Sequence, residues 1–308
     1  MEDPRAHIAA IGAALAAGRL IPYLGPGLLE LQAGAQALPA SSEALARMLN
    51  AKVTVPLRAR SQLSATAQYI ENYKHRKTLT GLMSQAFATH WPPTALHLGL
   101  AAVAPPLIVD TWYDQVMEAA LREGCAAGER GQERGQGWGQ VQGLSQTEHF
   151  GRWTGAYDAS GQPVEDAASE HWRTLLYKPI GGVSPAGNYL VSDTDYVEVL
   201  TVIDIQLPIP EPVKRLRSGR DFLFLGCRFN DPLPRTFARQ IMKRSGDRHW
   251  AVIAGDLSPK EARFLAEQRI TRIDLPLAQF VEQLFAQQAF AEHPFAAQAT
   301  QASAVAAA

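Results

Sequence analysis

Only two cysteines occur in the 308 residues, Cys125 and Cys227, and they form no Cys-x-x-Cys pair. Neither a disulfide framework nor a four-thiolate zinc site has a basis, and a reducing, cytoplasmic setting is expected. Charge of one sign is missing as well: 29 Lys and Arg face 30 Asp and Glu, a formal charge of −1. The chain as a whole has no basic field for nucleic acid or a membrane surface, which leaves only local patches to consider. Long apolar runs are also absent. The opening MEDPRAHIAAIGAALAAGRL has acids where a secretory segment needs positive charge, and its apolar stretch is short and broken by glycine and arginine. Neither an export signal nor a membrane span is expected.

What the chain does have is a hydrophobic content of 46%, enough to bury a full core. Its organising stretch is Gly18 to Glu30, GRLIPYLGPGLLE. Leu20, Ile21, Tyr23 and Leu24 read as a buried strand, and Gly25 and Gly27 bracket a turn where backbone can approach a ligand closely. A strand feeding such a turn can present N–H groups to a pyrophosphate, although an ordinary strand-ending turn has the same signature and no third glycine follows.

Before that strand, Pro4 to Ala17 has helical spacing. After the turn, Leu28 to Leu38 reads as a loop and Ser41 or Ser42 as the cap of a helix through Leu45 and Leu49. Further helices are expected over Ser64–Tyr73, Thr80–Thr89 and Thr94–Val103, which makes 41–103 a helical insertion. Leu107 to Asp110 is a second strand and Tyr113 to Arg122 a helix. Residues 124–148 are rich in Gly, Gln, Glu and Arg and read as an exposed, flexible loop. Short β-prone runs follow at Phe150–Tyr157 and Trp172–Lys178, then a helix containing Tyr196 and Leu200. Lys214, Arg215, Arg217 and Arg220 read as a solvated helix face or a protein contact. From Phe222 to Phe285 the pattern is βαβαβα with continuous apolar strands, the mark of a parallel sheet covered on both faces. The domain is expected to span 1–288, and 289–308 to be an Ala-rich tail.

Taken in order, these pieces resemble the sirtuin-like NAD-binding domains, and specifically the bacterial branch that includes NAD hydrolases of antiviral defence. The resemblance rests on LIPYLGPGLL, LPASSEALARML, SATAQYI, PTALHLGLAAVAPPLIVDTWYD, YKPIGGV, NYLVSDTDYVEVL, FLFLGCRFNDP and HWAVI. It implies a doubly wound, mostly parallel Rossmann-like α/β fold and NAD or ADP-ribose as the ligand. It also implies an asparagine after the second strand that holds water and ribose, and a histidine base in a Lys-Leu-His-Gly segment.

The chain departs from that pattern at the positions that matter. Trp112 stands at the asparagine position and Ile180 at the histidine position, while Pro26 and Leu29 replace the alanine and serine of the glycine turn. Isoleucine has no proton to exchange, an indole can only donate, and Pro26 removes one N–H from the turn. An indole at a strand end more often fills a hole than stacks on a ligand. The reading is therefore a degenerate member that binds NAD, ADP-ribose or a protein partner, with an active NAD glycohydrolase using a rearranged base as the alternative. Among the other histidines, His171 is the candidate displaced base; His149 reads as a surface group and His97 as a helix-packing one. Thr111, Trp112, Asp114, Gly226, Cys227, Asp231 and Asp274 are the further candidates for cofactor contacts. Asp231 also reads as an N-cap before Pro232.

Overall fold

The computed structural model describes residues 4–32, 38–128, 137–205 and 209–286. The expected tail at 289–308 and the side chain of Cys125 lie outside the described residues. In chain order the elements are α1 (Pro4–Ala16), β1 (Leu20–Leu24), α2 (Ser42–Lys52), α3 (Leu63–Lys74), α4 (Arg76–Ala86), α5 (Ala95–Val103), β2 (Leu107–Asp110) and α6 (Val116–Gly128). Then come β3 (Trp138–Gly143), β4 (Thr154–Asp158), β5 (Pro163–Val164), β6 (Thr174–Lys178), β7 (Gly181–Gly182), β8 (Asn188–Tyr189) and α7 (Asp193–Ile205). The last third is α8 (Glu211–Arg217), β9 (Asp221–Leu225), α9 (Pro232–Ile241), β10 (His249–Val252), α10 (Pro259–Glu267), β11 (Ile270–Ile273) and α11 (Leu277–Phe285).

Nine strands form one sheet in the order β11-β10-β9-β1-β2-β6-β3-β4-β5, parallel from β11 through β3, with β4 and β5 antiparallel. The apolar runs of the strands divide between two cores with a period of two. Ile21, Tyr23, Val109, Phe222 and Phe224 face one core. Leu20, Leu24, Ile108, Leu223 and Leu225 face the other. This double burial makes the strands continuously hydrophobic and gives the doubly wound α/β architecture.

Three local expectations are corrected. Pro26–Leu31 is a 3-10 helix, not loop, with Gly25 as its N-cap and Leu28 and Leu29 buried; proline at the first position presets the backbone for it. The stretch read as an exposed loop contains β3, a wholly buried strand inside the sheet between β6 and β4. Its polar composition misleads because the amides are satisfied internally: Gln140 and Gln142 both donate from Nε2 to the Ser184 carbonyl, the former at 3.1 Å. Its glycine content reflects close packing, since a Cβ on Gly139 would fall 2.1 Å from the Trp172 ring. Arg217, expected on a solvated face, is buried and donates to the carbonyls of Gln240 (2.7 Å) and Ile241 (3.0 Å), so it caps the end of α9.

Among the described residues, no helix is long and apolar enough to cross a membrane.

Candidate functional site

From β1 the chain builds outward through β2 and β6, then returns to place β9 on the other side of β1. The strand order therefore reverses between β1 and β9, and the loops leaving them meet at the carboxyl edge of the sheet, where open α/β folds bind their ligands. Several expected site residues meet here. Gly25 N–H donates to the Leu225 carbonyl at 2.9 Å, and Gly27 N–H to the Gly226 carbonyl at 2.9 Å. Thr111 joins from β2 by donating its N–H and Oγ1 to the Leu24 carbonyl at 2.9 and 2.8 Å. Cys227 is buried beside them, its Sγ 3.5 Å from the Leu225 carbonyl. Burial pushes this thiol far up, with the nearby Asp110 charge acting in the same direction, so it carries no thiolate near neutral pH.

The loops fill this crevice with their own backbone. Cβ atoms on Gly25 and Gly27 would fall 2.6 and 2.9 Å from the Gly226 carbonyl oxygen, and one on Gly226 (φ 65°) would fall 2.5 Å from the Leu28 nitrogen. Glycine is needed for loop to pack on loop. The Leu28 N–H bonds the Gly25 carbonyl at 3.2 Å. With Pro26 lacking an N–H, each donor from 25 to 28 is absent or already engaged by a carbonyl.

Trp112 and Ile180 are buried in the same apolar cluster. The Trp112 indole N–H donates to the Pro39 carbonyl at 2.7 Å, and its ring packs on Phe87 and Tyr113 with centroids 6.0 and 5.1 Å apart. The indole thus ties the entry to α2 down onto the end of β2. Nearby, between β6 and helices α7 and α9, an apolar cavity of about 10 Å³ is lined by Tyr177, Pro179, Leu190, Val199, Phe237 and Ile241. It is the size of one water, not of a nicotinamide ring.

Beside this apolar wall lies a buried ionic cluster at the ends of β2 and β6. Lys178 Nζ contacts Asp110 Oδ2 at 2.6 Å and the Asp114 carbonyl at 2.7 Å. Asp110 Oδ1 accepts from the Trp112 N–H, and Asp114 Oδ1 from the Val116 N–H at the start of α6. Burial alone favours a neutral lysine, but Asp110, Asp114 and Glu118 outweigh it and hold Lys178 above its ordinary range. Burial pushes Asp110 up to about 6 against the pull of Lys178, so near pH 7 the two form an ion pair.

Glu118, in the first turn of α6, is 1% exposed, and among the described residues neither carboxyl oxygen has a hydrogen-bond partner of good geometry. Burial raises it to about 7, with Lys178 and then Arg122 pulling the other way. His97 on α5 is buried, hydrogen-bonded through Nδ1 to Thr94 Oγ1 at 2.7 Å, and lowered by burial to about 4. It is neutral near pH 7.

Other expected residues lie elsewhere. His171 is exposed in the 3-10 helix Asp166–His171 that precedes β6, at the opposite edge of the sheet from the crevice. Asp274 follows β11, three strands from β1, where it pairs with Arg272 at 2.8 Å and accepts from the Gly255 N–H. Asp231 is the N-cap of α9 with Pro232 at N1, but its side chain makes no capping bond. Burial and then the Glu43 charge raise its carboxyl. Lys178 and Glu118 were not singled out from sequence. Their signals were a lysine ending the apolar run TLLYK and a carboxylate four residues after Asp114.

Among the described residues, no group of His, Cys, Asp or Glu is placed to hold a metal ion. The sequence family described as a SIR2-like domain matches residues 106–273, from the entrance to β2 through the end of β11 and more than half of the chain. The glycine turn after β1 lies outside the matched span. No curated protein matches the chain. The residues present do not fit the pyrophosphate of a dinucleotide in this conformation, since the glycine-loop donors are spent on carbonyls and the facing backbones touch.

Proposed function

We propose that this chain, which belongs to the SIR2-like domain family, is a member in which NAD hydrolysis has been lost and the fold serves as a binding module for a protein partner. Residual affinity for NAD or ADP-ribose is weak. The observation that carries this reading is the environment of Trp112. The group standing where the family resemblance calls for an amide is buried, bonded to the Pro39 carbonyl and packed on two aromatic rings. An indole held in this way offers no amide to water or ribose. Ile180, at the position of the base, belongs to the same apolar cluster and has no proton to give or take. The engaged N–H groups of Gly25, Gly27 and Leu28 support the same reading.

Incubating the purified chain with NAD and following nicotinamide by chromatography tests it. No release above the buffer rate is expected, and calorimetric titration with NAD or ADP-ribose is expected to be nearly flat at micromolar nucleotide. Steady release that disappears when Glu118 or Lys178 is replaced would sink the proposal and identify an NAD glycohydrolase instead, the activity associated with the defence branch.

A further inference from the structure

The amino edge of the sheet, opposite the crevice, has a charge pattern of its own. Arg19, Arg220, Arg248, Arg269 and Arg173 stand immediately before β1, β9, β10, β11 and β6. Parallel pairing needs no charge there, since β2 is entered from Pro106 and β3 from Gly137. The registers place Leu20 opposite Asp221, His249 opposite Ile270 and Trp250 opposite Leu223, so Arg19 and Arg220 share one level, Arg248 and Arg269 stand one residue further along, and the arginines follow the edge in the order 269, 248, 220, 19, 173. With neighbouring strands about 4.8 Å apart, the row spans about 24 Å.

Little of this charge is answered. Arg19, Arg173 and Arg248 are exposed, as is Arg244 in the turn before β10, and none of the four has a carboxylate partner among the described residues. Arg220 is held by the carbonyls of Gly18 (2.9 Å) and Leu216 (2.6 Å), which leave its charge intact. Arg269 meets Asp247 at 3.4 Å with both groups largely solvated, and the Asp221 carboxylate accepts only the Arg248 backbone N–H.

A second observation points the same way. Arg244 and Arg269 occupy left-handed backbone positions, φ 63° and 54°, in the turns before β10 and β11. Glycine takes such positions at lower cost, and Gly18 and Gly219 do so in the turns before β1 and β9. At these two turns the chain keeps a cation where a smaller residue fits the backbone better.

We propose that this edge docks the phosphate backbone of duplex nucleic acid. The planar guanidinium fork matches phosphate oxygens, and about 24 Å of duplex presents about 14 phosphates. A protein partner or a membrane surface calls for apolar anchors. Among the described residues, the exposed large apolar side chains Leu57, Tyr73, Phe150 and Val197 lie outside the turns that lead into the parallel strands. Unpaired bases call for stacking rings. Trp172, the aromatic next to the row, is half-buried against Gly139. The net charge of −1 conceals the patch because Asp110, Asp114 and Glu118 lie at the other edge.

Fluorescence anisotropy of the full chain with a labelled duplex of about 20 base pairs, titrated between about 50 and about 200 mM salt, tests the proposal. The wild type is expected to bind and to weaken with salt. A variant carrying Arg19→Gln, Arg173→Gln, Arg244→Gln and Arg248→Gln is expected to lose about four phosphate contacts. Over that salt range the wild type should therefore lose about 10²-fold more affinity than the variant does. The matching four Arg→Lys replacements are expected to retain the wild-type salt dependence, and circular dichroism shows whether both variants keep the fold. Absence of duplex binding at the lowest salt overturns the proposal. So does an unchanged salt slope in the glutamine variant, or binding to anionic vesicles or polyglutamate with the duplex ignored.

Discussion

Replacing Glu118 by glutamine removes one negative charge from the buried cluster and nothing else of comparable size. The folded protein holds this carboxyl at about 7 against an ordinary 4.5, chiefly because burial disfavours the charged form. Among the described residues its oxygens have no hydrogen-bond partner of good geometry, Ser184 lowers the carboxyl only as the last of several influences, and Arg122, at 3.6 Å, is itself 46% exposed. A group whose folded value is raised binds more protons in the folded than in the unfolded chain between those two values. Stability is therefore lost as pH rises through that window. At about 1.4 kcal/mol per pH unit, the whole effect is about 3 kcal/mol, of which about 2.5 kcal/mol falls between about pH 5 and about pH 8.

Glutamine is nearly isosteric with the protonated acid and does not titrate. Urea unfolding at the two pH values is expected to find Glu118→Gln close to the wild type under acid conditions and about 2 to 3 kcal/mol more stable under alkaline ones. A stability difference between the two proteins that does not change with pH would refute the assignment of a strained buried carboxyl. So would a variant that is less stable at the higher pH.

Lys178→Met leaves Asp110 buried opposite an apolar group and is expected to cost about 3 to 5 kcal/mol in the same unfolding assay. An effect below about 1 kcal/mol would mean that water reaches the pair. The double change Trp112→Asn with Ile180→His installs the amide and imidazole of the family pattern. It is expected to destabilise the fold by about 3 kcal/mol or more through lost packing while nicotinamide release from NAD stays at background, because the N–H groups of Gly25, Gly27 and Leu28 remain bonded. Release from this variant would show that the facing loops separate.

The sequence was most informative where burial is two-sided. Strands such as LIPYL and DFLFL are apolar at every buried position because each face of the sheet meets a core, and their spacing gave the alternation of strands and helices. It failed at β3, where WGQVQG has the composition of a loop. There two glutamine amides satisfy one distant carbonyl and a glycine admits a tryptophan ring, and neither partner is near in sequence. The site was partly legible for the same reason. Gly25, Gly27 and Gly226 were recognisable as turn glycines, but that they face one another instead of a ligand is a property of the pairing between β1 and β9. His171 appeared close to the Ile180 position along the chain, yet β6 runs between them and carries them to opposite edges of the sheet.

The amino-acid sequence by itself determined the strands that are buried on both faces and the helices packed on them, because local periodicity is written residue by residue. Tertiary structure alone decided that the glycine loops close on each other, that Asp110, Asp114, Glu118 and Lys178 share one water-poor site, and that five separated arginines gather at one edge of the sheet. Each of these depends on parallel register, which brings together residues that no stretch of chain contains side by side.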